Sequence, residues 1–65
     1  MTRTWPDPPA PDAIRERRES AGLTQTAAAA LIYRSRNAWQ QWEAGKRQMD
    51  PALWEYWLIR AAGAA

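Results

Sequence analysis

Apolar positions in this chain recur at intervals of three and four residues and nowhere alternate, so the pattern reads as helices throughout. The clearest stripe lies near the C-terminal end. Trp54, Trp57, Leu58 and Ala61 fall at i, i+3, i+4 and i+7. Asp50 followed by Pro51 is a helix-capping residue with proline at the first helical position, so this helix is expected from Pro51 to about Ala62. Leu53, Tyr56 and Ile59 fall outside the stripe. A helix with apolar groups nearly all round is buried on more than one side, and these three residues are assigned to a dimer interface.

Three shorter helices precede it. Residues 11–21 read as the first: Pro11 suits a first helical position, Asp12 the positive end of the helix dipole, and Gly22 a stop. Ile14, Arg18 and Ala21 share one face of it, and an arginine in an apolar row needs a partner. The second opens with Thr24 as N-cap and Gln25 as its first residue. Ala27 to Ala30 read as a plain low-complexity helix, or, more sharply, Ala28 and Ala29 permit close helix–helix approach, and both readings can hold at once. Tyr33-Arg34 breaks the pattern. Ser35 caps a third helix of about nine residues that Gly45 ends.

Residues 1–11 hold four of the five prolines and read as an extended arm ahead of a single domain over 12–65. The arm is expected to be a frayed tail. The alternatives are that Trp5 folds back onto the domain or its partner, or that Arg3 reaches a minor groove.

The third helix, within the stretch "SRNAWQQWEAGKR", carries the candidate chemistry. Successive residues turn by about 100°, which puts Ser35, Trp39, Trp42 and Glu43 on one face. Asn37, Gln40, Gln41 and Ala44 take the opposite face, with Arg36 beside them. Trp39 and Trp42 are the expected inward stripe. The competing reading, indoles stacked on bases, is mainly a single-strand device. The outward residues are either an ordinary solvated face or a reading surface. Asn and Gln match the N7 and N6 edge of adenine, and Arg matches O6 and N7 of guanine. Glu43, on the inner edge, is expected to pair with Arg18; the alternative leaves both in water.

Composition narrows the chemistry. The chain has 65 residues, five of them tryptophan, and neither cysteine nor histidine. Disulfides, thiolate chemistry and the usual zinc and iron–sulfur ligands are excluded, as is the commonest acid–base residue. No metal, cofactor or small-molecule ligand is expected, and an enzyme is the weakest class. The net charge is only +2, but Arg34, Arg36, Lys46 and Arg47 cluster around the third helix, opposed there by Glu43 alone. No apolar run approaches the roughly 20 residues a membrane span needs, so the expected location is the cytoplasm.

"GLTQ", then about ten residues, then a serine-capped helix ending "WEAGKR", resembles the Cro and phage-repressor (XRE-like) helix-turn-helix family from residue 12 to about 62. The tail "WEAGKRQMDPALWEYWLI" is similar to very small phage-type regulators within it. The resemblance implies an all-α, compact four- to five-helix bundle of the lambda-repressor-like type, its third helix in the major groove of double-stranded DNA. It implies base reading by Arg36, Asn37 and Gln41, with Gln40 adjacent. It also implies a phosphate contact from Gln25, backbone contacts from Lys46 and Arg47, and a buried Arg18–Glu43 pair. Thr24, Arg34 and Ser35 complete the expected phosphate set. The chain departs from the family pattern where Tyr33 replaces the turn glycine, where Arg34 replaces an apolar residue, and where Ala28 stands for leucine. Trp39 is expected to fill the space at Ala28.

The reading that follows is a homodimeric repressor on a palindromic operator, of the kind found beside phage operons, anti-CRISPR operons included. An antitoxin of a toxin–antitoxin pair and a protein-interaction module without DNA binding are its rivals.

Overall fold

A computed structural model describes residues 7–63. The expectations for Arg3 and Trp5 fall outside them. Four helices follow in order: α1 (Pro11–Ser20), α2 (Gln25–Ala30), α3 (Arg36–Glu43) and α4 (Pro51–Gly63). The described residues form no strand.

Pro11 opens α1 without a side-chain cap, whereas the starts of α2, α3 and α4 are local side-chain events. Thr24 Oγ1 accepts the Ala27 amide at 3.1 Å, and Ser35 Oγ accepts the Ala38 amide at 3.2 Å. Asp50 Oδ1 accepts the Ala52 amide at 2.8 Å, just ahead of Pro51. These bonds satisfy amides that the first helical turn leaves without partners.

The ends of α1, α2 and α3 share one geometry. In each, a residue with positive φ donates its amide three residues back, and the next residue donates five back, which is the Schellman closure. After α1, Gly22 (φ 72°) bonds Glu19 and Leu23 bonds Arg18. After α3, Gly45 (φ 76°) bonds Trp42 and Lys46 bonds Gln41. After α2 the left-handed position is Tyr33 (φ 59°), with Tyr33 bonding Ala30 and Arg34 bonding Ala29 at 3.0 Å. The turn keeps the closure found at both glycines, and the tyrosine absorbs the crowding of Cβ against backbone that a left-handed conformation brings.

The core consists of Ile14, Ala28, Ala29, Ile32, Trp39, Trp42, Met49 and Trp57. Four indoles run through it in sequence. Trp42 meets Trp39 edge-on at 5.6 Å between ring centroids, Trp39 meets Trp57 at 5.2 Å, and Trp57 stacks on Trp54 at 5.4 Å. So many large rings compensate for the few residues available to a domain of this size.

α4 is tied to α2 by its side chains. Trp57 Nε1 donates to the Ala28 carbonyl at 3.0 Å, and Arg60 Nε donates to the Leu31 carbonyl at 3.1 Å. The small side chain at Ala28 thus admits an indole from α4 to the backbone of α2, a contact not expected when Trp39 was assigned that space. Arg60 also lies over the Tyr33 ring, 6.0 Å from its centroid. Ala21, expected on the inner face of α1, is exposed because the helix ends one residue before it.

Leu53 needs a correction. It is half-buried and packs against the core, whereas Tyr56 is 42% and Ile59 70% exposed. Leu53 precedes Trp57 by four residues, only about 40° around the helix, so it belongs to the inward stripe. The outer apolar face reduces to Tyr56 and Ile59.

Candidate nucleic-acid interface

α3 has two chemically distinct faces. Trp39 is completely buried, and Trp42 and Glu43 are buried beside it. Arg36, Asn37 and Gln40 are exposed, and Gln41 is half-buried. The indoles are therefore used as core, and the groups suited to base edges are left to solvent.

Glu43 is where the inner face is locked. Arg18 grips both its oxygens, with Nε 2.6 Å from Oε2 and Nη2 3.2 Å from Oε1. The third nitrogen, Nη1, donates to the Leu23 carbonyl at 3.0 Å. Gln25 Nε2 donates to Oε1 at 3.2 Å, and the Trp39 indole donates to Oε2. One carboxylate thereby joins α1, α2 and α3. Burial pushes its pKa up, but the bonds from Arg18, Trp39 and Gln25 and the charge of Arg18 outweigh that, so it ends below the ordinary glutamate range. The bond to Glu43 raises the Arg18 pKa against the opposing effect of burial.

Glu43 is also the single acidic residue between Tyr33 and Met49, and it is buried under these donors. From Tyr33 to Met49 the exposed charges are therefore all positive, from Arg34, Arg36, Lys46 and Arg47, with Asp50 at the far end of the loop. A local field of one sign attracts a polyanion whatever the modest net charge of the whole chain.

The structure rearranges the expected phosphate set in one place. Gln25, expected to face phosphate, is half-buried and has an amide hydrogen committed to Glu43. Thr24 and Ser35 are exposed. Their oxygens accept capping bonds, which leaves each hydroxyl hydrogen free to donate outward. Sequence reasoning also missed Arg15, whose Nε lies 3.6 Å from Glu43 Oε1. The signal was present in its spacing, since Arg15 stands one turn before Arg18.

A short helix, a tight turn and a second helix with an inward aromatic face and an outward polar face define a helix-turn-helix DNA-binding domain. The chain belongs to the helix-turn-helix domain family of XRE-like type, which matches residues 12–64. It is also 39% identical over 46 residues to the type II methyltransferase M.MspI of Moraxella sp. That likeness covers 71% of this chain and lies in the helix-turn-helix region, and the chain spans 11% of the length of that relative.

Proposed function

We propose that this domain is a sequence-specific transcriptional repressor of a phage or mobile-element operon, binding a palindromic operator as a homodimer. The observation that carries the reading is the division of α3, with Trp39, Trp42 and Glu43 inward and Arg36, Asn37 and Gln40 outward. A major groove about 12 Å wide admits one such helix. Arg36, Asn37, Gln40 and Gln41 read base edges there. Arg34, Lys46, Arg47 and the hydroxyls of Thr24 and Ser35 hold phosphates and fix the register.

Two copies place their reading helices about 34 Å apart, one turn of duplex, so the operator is an inverted repeat. Tyr56 and Ile59 supply the contact between copies, beside a shallow groove lined by Leu31, Ile59, Arg60 and Gly63. Occupying an operator that overlaps a promoter excludes polymerase. The methyltransferase activity named for the Moraxella relative is not carried over, because the likeness lies within the helix-turn-helix region.

Selection from a pool of random-sequence duplexes tests this reading. Enrichment of an inverted repeat with half-sites one helical turn apart is the expected result. A pool that stays unenriched after repeated rounds refutes sequence-specific recognition.

A further inference from the structure

Glycine takes the left-handed position after α1 and after α3, but Tyr33 takes it after α2. A side chain there is strained, and strain that the surrounding structure maintains is commonly functional. The ring is 76% exposed, so it does not fill the core. It meets Arg60, whose guanidinium carbon lies 6.0 Å from the ring centroid, at the outer edge of cation–π range.

The same guanidinium makes a second contact. Its Nε donates to the Leu31 carbonyl at 3.1 Å. The amides of the turn bond the carbonyls of Ala28, Ala29 and Ala30, and Arg60 supplies a donor to the next carbonyl along, at the negative end of α2. This bond is in register with the one a turn earlier on α4. Trp57 meets Ala28 and Arg60 meets Leu31, each across 29 residues. A planar guanidinium bonds with its edge and covers a ring with its face, so one side chain of α4 clasps both ends of the α2–α3 turn. Arg60 is exposed, and an exposed bond adds little to stability, so its effect is on geometry.

That geometry bears on one part of α3. The buried residues of the helix are Trp39, Trp42 and Glu43, which anchor it from its fourth position onward. Arg36 and Asn37 stand ahead of them, both exposed, and connect to α2 through Tyr33-Arg34-Ser35. The orientation of this first turn therefore follows the conformation at Tyr33.

We propose that Arg60, acting through Leu31 and Tyr33, is a positioning residue for base reading: it holds the turn so that Arg36 and Asn37 meet base edges in one fixed orientation. The inference rests on the DNA-binding reading above and adds to it a residue of α4 that does not itself touch DNA. A bidentate contact needs both of its bonds aligned at once, so a small swing of the first turn costs discrimination between bases before it costs general affinity.

The test compares binding to the duplex enriched by selection, to a random-sequence duplex of the same length, and to copies of the enriched duplex with one base pair replaced at a time. Arg60→Met keeps the stem and removes the guanidinium. It is expected to lower the preference for the enriched duplex about tenfold and to relax the base position that Arg36→Ala relaxes. Binding to the random duplex, its salt dependence and the thermal midpoint are expected to stay at wild-type values. Tyr33→Asn, which tolerates left-handed backbone but has no ring, is expected to give the same profile. Tyr33→Phe, which keeps the ring, is expected to match wild type.

An unchanged preference in Arg60→Met overturns the proposal, and so does a loss spread evenly over the base positions. A Tyr33→Phe variant that behaves as Tyr33→Asn overturns the ring contact. A slope of log K against log salt lowered by about 0.9 makes Arg60 a phosphate contact instead. Each of these results leaves the DNA-binding reading standing. If no duplex is enriched by the wild type, that reading falls and the positioning role falls with it.

Discussion

Arg18 and Glu43, 25 residues apart in sequence, meet through two hydrogen bonds of 2.6 and 3.2 Å and fix α1 to α3. The pair is not interchangeable with an apolar one. Gln25 and the Trp39 indole also donate to Glu43, so apolar replacement would leave the buried indole donor unpartnered.

Glu43→Gln is therefore expected to cost about 3 kcal/mol, because it leaves Arg18 partly buried without its counter-charge. Urea denaturation of the variant reads this directly. The pH dependence follows from the same bonds. The Glu43 carboxyl is held below the ordinary value in the folded chain, so the unfolded chain takes up its proton first as pH falls. The pair's contribution is complete above the unfolded glutamate value of about 4.3 and disappears as pH drops through the lower folded value. Wild type should lose stability more steeply in that acid range than Glu43→Gln. Parallel curves for the two would contradict the assignment.

Tyr33 occupies a left-handed position at φ 59°, which costs an ordinary residue roughly 1–2 kcal/mol. Glycine removes that strain but adds freedom to the unfolded chain, worth about 0.5–1 kcal/mol. Tyr33→Gly is expected to be as stable as wild type or up to about 1 kcal/mol more stable. Tyr33→Val, branched at Cβ, should be about 1 kcal/mol less stable. A glycine variant weaker than wild type would mean that the Arg60 contact with the ring outweighs the strain.

Arg36→Ala should weaken binding to the selected duplex by about 1–3 kcal/mol and relax base choice at one position. Lys46→Ala should weaken selected and random duplexes alike and flatten the salt dependence. Titration of both variants against both duplexes separates the roles. Equal loss on every sequence from both variants would remove Arg36 from base reading.

Ile59 and Leu53 separate assembly from folding. Ile59 is 70% exposed, so Ile59→Asp should leave the monomer fold intact and abolish the dimer in sedimentation. Leu53→Asp should unfold the domain instead, because Leu53 packs on the core. A wild-type chain that sediments as a monomer at high concentration would leave dimerisation to the DNA.

The sequence by itself determined the helices, their caps, and the division of α3 into an aromatic and a polar face. These depend on neighbours within about one turn, through the 3.6-residue period and on side chains that cap the nearest amides. The Arg18–Glu43 pair was legible for a related reason, since a charge on an apolar face needs a partner and the chain offered few. Tertiary structure decided what depends on how helices pack across long separations. Trp57 reaches the Ala28 carbonyl across 29 residues, and Gln25 reaches Glu43 across 18. Met49 enters the core from a loop whose local sequence carries no period. Leu53 turns inward because the tryptophan chain centres the buried face of α4 on Trp57.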